Sequence, residues 1–334
     1  MNTNVEPRAE QAPDTKRARR DERRALKQER LAAEAARGRR LALLRWTGLA
    51  AFAVAVLAGA YFWLSGGSGT GTGAIARPVV GGDLHSLVVD PGTPERVLVG
   101  GHEAGALSED GGRTWQSVAG LKGADPMGWA IDPSDPLKMY VGGHPGFLRT
   151  QDGGKSWSKD NGGLPGTDVH GLGIDPQNPD VLYAYVMGRG IYRSADAGQR
   201  WEPVNAEKNI MGPILVDPHQ ANTLYLAEAR GGFEQSTDGG RTWQQLGAIP
   251  GGMAMWVAQD QQAPETFYAA NGRALKSTDG GRSWRPTGEG IAGSVSSVAV
   301  APSDSRIVYA AVLEGSAARV YRSDDGGQTW QARN

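Results

Sequence analysis

The sequence predicts an all-β fold, a six-bladed β-propeller of four-stranded antiparallel blades. Two observations carry that prediction. A block of the form Ser/Thr-x-Asp-x-Gly-x-x-Trp recurs six times, ending at Trp115, Trp157, Trp201, Trp243, Trp284 and Trp330, so that successive copies are 42, 44, 42, 41 and 46 residues apart. The chain also holds 49 Gly but only 5 Phe in 334 residues, a composition suited to many short strands joined by tight turns.

Residues 1–40 form a charged tail, disordered or helical, with no apolar stripe on which to build a core. Residues 1–45 carry thirteen Lys/Arg against seven Asp/Glu, a surplus of six, so with the whole chain at −1 the remainder sits near −7. An acidic body argues against nucleic-acid binding. The chain has no cysteine, which excludes disulfides, thiolate metal sites and cysteine nucleophiles.

Residues 41–64 read as a transmembrane helix. Within them Trp46 to Leu64 is an uninterrupted apolar run with aromatic ends, and at about 1.5 Å per residue it nearly matches a hydrocarbon core of roughly 30 Å. Arg37, Arg39, Arg40 and Arg45 lie just before it, which places the N-terminus in the cytoplasm and the rest outside, in a periplasm or at a cell surface. The rival reading is a cleaved signal peptide using Ala58-Gly-Ala60. Residues 65–78 are a Gly/Ser/Thr-rich linker. On this reading the partners are a lipid bilayer, through residues 41–64, and a ligand of a monomeric head.

Residues 79–334 hold the repeats. In each block a Ser or Thr ends one strand, an Asp (Asp110, Asp152, Asp196, Asp238, Asp279 or Asp325) caps the turn, and the Trp plugs the gap between neighbouring sheets. Upstream of the block, an apolar strand ends in Asp-Pro in blades 1 to 4, at Asp90, Asp132, Asp175 and Asp217, and a second strand follows. Blade 5 reads Val257-Ala-Gln-Asp260 without the Pro, and blade 6 reads Ala301-Pro302. Closure of the ring is left with two routes, the last strand of blade 6 alone or a strand from Ala74 to Val80.

The block resembles the Asp box of the bacterial neuraminidase repeat, S-x-D-x-G-x-T-W. From about His85 to its end the chain is similar to small bacterial single-propeller proteins labelled glycosyl hydrolase, and more distantly to sortilin-type receptor heads and photosystem assembly factors. The resemblance implies a propeller with its boxes on the rim, away from any central site. It does not extend to sialidase chemistry. The Arg-Ile-Pro motif is missing, its nearest counterpart being Arg77-Pro78, ahead of the first blade.

Aligning the repeats on their boxes collects particular residues at the opposite end of the strands. Asp83, Asp125 and Asp168 stand two residues before His85, Met127 and His170 at the entrance of strand one. His102, His144 and Met187 stand at the end of strand two, with Met211 near the entrance in blade 4. The convergence supports three readings. Imidazole and thioether donors suit a soft metal such as Cu(I). Paired carboxylates suit glycoside hydrolysis, with Asp83, Asp125 and Asp168 as catalytic candidates. The third reading is structural, with His and Met filling the ring and Asp capping turns. Trp129 and Trp256, with Arg189, Arg230 and Arg273 in the turns after strand two, are candidates for gripping a glycan or an anionic ligand. The expected function is a binding or scaffold module for a protein, glycan or metal partner, requiring no cofactor. The alternatives are a glycoside hydrolase other than a sialidase, and copper binding.

Overall fold

The computed structural model describes residues 77–82, 84–314 and 317–333. The charged tail, the apolar run 41–64 and most of the linker lie outside the described residues, as does Asp83. Among the described residues no helix is long and apolar enough to cross a membrane.

Six four-stranded antiparallel sheets follow one another along the chain. Blade 1 comprises β1 (Ser86–Val89), β2 (Val97–Gly100), β3 (Gly105–Ser108) and β4 (Gln116–Ser117); blade 2 comprises β5 (Asp125–Ile131), β6 (Met139–His144), β7 (Gly146–Thr150) and β8 (Ser158–Lys159). Blade 3 has β9 (Val169–Ile174), β10 (Leu182–Val186), β11 (Gly190–Ser194) and β12 (Glu202–Asn205); blade 4 has β13 (Leu215–Val216), β14 (Leu224–Ala227), β15 (Gly232–Ser236) and β16 (Gln244–Ala248). Blade 5 has β17 (Trp256–Gln259), β18 (Phe267–Ala270), β19 (Ala274–Ser277) and β20 (Arg285–Pro286); blade 6 has β21 (Ser294–Ala301), β22 (Asp304–Glu314), β23 (Ala317–Ser323) and β24 (Gln331–Ala332). The first two strands of each blade are almost wholly apolar because both their faces are covered by neighbouring blades; the fourth is exposed.

Each box folds as its residues dictate. Ser108 Oγ donates to Asp110 Oδ1 at 2.9 Å and accepts the Gly112 N–H at 2.8 Å. Asp110 Oδ1 accepts the N–H groups of Arg113 and Thr114 at 3.0 and 2.8 Å, and Thr114 Oγ1 donates to Oδ2 at 2.7 Å. The same pattern recurs at Asp238, where Ser236 and Thr242 supply the hydroxyls at 2.7 and 2.6 Å. A further bond ties every box to the turn after strand one of its own blade: Gly111, Gly153, Ala197, Gly239, Gly280 and Gly326 donate to Glu95, Leu137, Asp180, Asn222, Glu265 and Arg306. Boxes and strand-one turns therefore share one face of the ring.

The turn after strand one survives the loss of its proline. Asp260 Oδ1 accepts the Gln262 and Ala263 N–H groups at 2.9 and 3.2 Å, as Asp90 Oδ1 accepts those of Gly92 and Thr93 at 2.9 and 3.1 Å. The carboxylate makes the turn, and Pro only restricts it further. In blade 6, where Pro302 is kept but Ala301 replaces the Asp, β21 and β22 run on into a short hairpin.

Blade 6 is completed by its own last strand, β24, and among the described residues no strand from 77–82 joins it. The ring closes by packing. Tyr309 Oη donates to Pro94 O at 2.9 Å, Ser296 Oγ donates to Leu84 O, and Leu87, Val97, Val99 and Trp115 share one buried cluster with Ala299, Tyr309, Ala311 and Val320.

The box carboxylates make stability sensitive to acid. Hydrogen bonds from the Thr242, Ser283 and Thr329 side chains hold Asp238, Asp279 and Asp325 down to about 2, and the Arg200 side chain does the same for Asp196. A carboxyl depressed on folding contributes stability that is complete above its unfolded value of about 4 and is lost as pH falls through its folded value. The urea midpoint is expected to fall steadily between about pH 4 and pH 2. Thr242→Val should flatten that slope, and a midpoint constant across the window would exclude this role.

Candidate metal centre

At the face opposite the boxes, strand one begins where strand two ends, and the antiparallel register brings the two together. Asp125 opens β5 and pairs with His144, the last residue of β6. His85, just before β1, donates its N–H to Gly100 O at 3.1 Å, with His102 two residues further on. His170 lies in β9, and Asp168 just before it accepts the Met187 N–H at 2.9 Å.

Glycines and a small hydroxyl let the blades approach closely here. A Cβ on Gly100 would lie 2.3 Å from Pro126 O, so only glycine allows blade 2 to reach blade 1 at this level. Ser86 Oγ donates to the same carbonyl at 2.5 Å and accepts the Trp129 indole N–H at 2.8 Å.

The result is a continuous cluster of four imidazoles and two carboxylates across three blades. Asp125 is its hub: Oδ1 lies 2.6 Å from His85 Nε2, and Oδ2 lies 3.2 Å from His144 Nδ1 and 3.7 Å from His102 Nδ1. The other nitrogen of His144, Nε2, lies 2.9 Å from Asp168 Oδ1, which is also 2.7 Å from His170 Nε2. The His85 and His102 rings meet edge-on at 4.5 Å, and those of His144 and His170 at 6.0 Å. The side chains of His85, Asp125 and His170 are 9, 14 and 8 % exposed, whereas those of His102, His144 and Asp168 are 58, 49 and 41 % exposed. The cluster thus has a buried floor and an open rim.

Two buried atoms in it lack ordinary hydrogen bonds. Asp168 Oδ1 has two imidazole nitrogens within 3 Å, close in distance but poorly aligned as hydrogen bonds, and His170 Nδ1 has no hydrogen-bond partner. Burial raises the Asp125 carboxyl, but hydrogen bonds from His102, His144 and His85 outweigh it and hold the group well below the usual carboxylate range. The bond to Asp125 raises His144 above its ordinary value, while burial lowers His170 despite the nearby Asp168.

In chemical terms the face offers two sets of two imidazoles and one carboxylate: His85, His102 and Asp125, and His144, Asp168 and His170, the donor atoms of each lying within 4.8 Å of one another. Metal–ligand bonds of about 2.0–2.1 Å in a tetrahedral shell imply ligand–ligand edges near 3.3 Å. The donor atoms of each set, within 4.8 Å of one another, would have to close up modestly to reach that edge. The same geometry is awkward for glycoside hydrolysis. The His144 ring stands between Asp125 and Asp168, where a sugar oxygen or water would have to sit, and Asp125 is held ionised, the opposite of a general acid.

The other candidates take different places. Met127 sits at the irregularity in β5 between Pro126 and Gly128, and the Met187 sulfur accepts the Tyr185 hydroxyl at 3.8 Å. Met211, in blade 4, is partly buried. Trp129 and Trp256 are 5 and 4 % exposed and pack between blades, so neither presents an open ring face. Arg189, Arg230 and Arg273 are exposed in the turns after strand two. Alignment of repeats located all the clustering residues, but not the sharing of Asp125 between blade 1 and blade 2. Its available signal is the repeated Val-Gly-Gly-His at Val99 to His102 and Val141 to His144, in which glycine makes room before the histidine.

A family model for sortilin, neurotensin receptor 3 matches residues 146–271, and one for the BNR/Asp-box repeat matches residues 321–332. No curated protein matches the chain. Among solved structures, the chain is similar to a GH74 enzyme of Niastella koreensis (18% identity, TM-score 0.57, 78% of this chain and 47% of that one). It is also similar to the GH74 xyloglucanase of Xanthomonas campestris (17% identity, TM-score 0.56, 79% and 46%). A chain of the nidogen/laminin complex matches with 14% identity, a TM-score of 0.56 and coverage of 72% and 92%. This chain spans about half the length of the GH74 structures, and the likenesses show the fold.

Proposed function

We propose that this chain, an Asp-box β-propeller, is a binding propeller that takes a divalent transition-metal ion on the face opposite its boxes, between blades 1, 2 and 3. The observation that carries this reading is the convergence of four imidazoles and two carboxylates, with Asp168 Oδ1 gripped by two imidazole nitrogens at once and His170 Nδ1 buried without a hydrogen-bond partner. Buried polar groups are ordinarily paired, and a metal ion would use the lone pairs left over here. Nitrogen and oxygen donors suit Zn²⁺, Cu²⁺ or Ni²⁺ better than Cu(I), which favours sulfur.

The half-exposed rim leaves coordination positions open to a further ligand, so a partner's carboxylate or imidazole can complete the shell. That fits a binding or scaffold role. In this reading the head stands outside the cytoplasm on the span within residues 41–64, supported by the apolar run and the arginines before it.

The test is calorimetric titration of the full chain, free of any polyhistidine tag and stripped with a chelator. Zn²⁺ is expected to bind saturably with a Kd below about 1 µM, that is, more favourably than about −8 kcal/mol. The double variant Asp125→Asn, Asp168→Asn should weaken binding at least about 100-fold. The reading fails if Zn²⁺, Cu²⁺ and Ni²⁺ all give no saturable binding. Cleavage of an oligosaccharide that Asp125→Asn abolishes would favour the hydrolase reading instead.

A further inference from the structure

Resting on that reading, we infer that the face holds two metal ions, with His144 contributing a ring nitrogen to each. The donors fall into two sets that share no residue, His85, His102 and Asp125 on one side and His144, Asp168 and His170 on the other. His144 joins them. Its Nδ1 is 3.2 Å from the hub carboxylate of the first set, and its Nε2 is 2.9 Å from the carboxylate of the second. The two nitrogen lone pairs of an imidazole diverge in the ring plane, so no single ion can take both. One ion would leave one carboxylate and its histidines without a metal, although the donor atoms of both sets lie within 4.8 Å of one another.

The two-ion arrangement uses every group. The first ion takes His85, His102 and Asp125, and His144 Nδ1, 3.2 Å from the Asp125 carboxylate, supplies a fourth ligand. The second takes His144 Nε2, Asp168 and His170, three protein ligands with one position open at the exposed rim. A neutral His144 carries one N–H proton. When the second ion replaces that proton it passes to solvent, and the ring bridges the two metals as an imidazolate. The open position beside a second cation is suited to an anionic oxygen ligand, such as a carboxylate.

Cu²⁺ is the probe for the test, because its single unpaired electron reports a bridge. The tag-free full chain is titrated with Cu²⁺ and followed by calorimetry and electron paramagnetic resonance. Two ions per chain are expected. The isolated-copper signal should grow to one equivalent and then collapse as the second equivalent couples to the first through the shared ring. His102→Ala alters an exposed rim residue and is expected to weaken the first site at least about tenfold. At copper concentrations that fill only the second site, the variant should bind one ion and keep an isolated signal, with its far-UV circular dichroism unchanged. Asp168→Asn should do the same for the first site.

Saturation at one ion per chain overturns the inference but leaves the metal reading standing. Two ions whose signals simply add overturn the sharing of His144. No binding of any ion overturns both.

Discussion

Gly281→Ala is expected to lower the unfolding free energy by about 3 kcal/mol or more, read as a shift in the equilibrium urea midpoint. Two costs act together. Gly281 holds φ at 80°, a left-handed backbone that a side chain adopts at about 1–2 kcal/mol. A Cβ there would also lie 2.2 Å from Phe233 Cδ1, and Phe233 is fully buried against Trp284 and Phe267 in a dense aromatic cluster. The ring cannot retreat without moving its neighbours, so overpacking adds about 1–3 kcal/mol. The reverse change elsewhere is the control. Ala197 stands where the other five boxes have glycine, at a φ of 56°, and Ala197→Gly should stabilise the chain by up to about 1 kcal/mol. Equal midpoints for Gly281→Ala and the native chain would show that the box does not lock one blade to the next.

The second large effect is expected at the hub of the cluster. Asp125→Asn keeps the size of the side chain but removes the charge that accepts from His85 and His144, and a hydrogen bond to a charged group contributes about 1.5–3 kcal/mol. The metal-free variant should therefore lose about 2 kcal/mol of stability. With Zn²⁺ at 100 times its Kd, the native chain should gain about 2.7 kcal/mol per independently filled site, and the variant should lose the gain from the first site. Thermal unfolding with and without Zn²⁺ measures both differences. If Asp125→Asn unfolds at the native temperature in both conditions, the carboxylate is not the hub.

The repeat made most of the fold legible. Ser, Asp, Gly and Trp at fixed spacing specify a hairpin by hydrogen bonds within eight residues, and six hairpins in phase count the blades. The turn of blade 5 is less legible, because it lacks the Pro of the other turns although Asp260 makes the same bonds. Closure of the ring was not legible, since it rests on Tyr309 meeting Pro94 and on Trp115 entering a cluster with Val320, contacts between the two ends of the repeat array.

The candidate site divides along the same line. His85, His102, Asp125, His144, Asp168 and His170 could be assigned to one face by aligning the repeats on the architecture that the Asp-box resemblance implies, with strand alternation placing residues two apart on the same side. Their partners could not. Asp125 belongs to blade 2 yet sits 2.6 Å from His85 of blade 1, and His144 reaches forward to Asp168 of blade 3. Those pairings depend on how tightly the blades pack around the ring, which Gly100 permits by leaving Pro126 room that a methyl group would fill. Strand period and turn chemistry act through neighbours along the chain and were settled by it. Which carboxylate serves which imidazole across blades is settled by distances between residues about 20 to 40 positions apart, and only the closed ring fixes those.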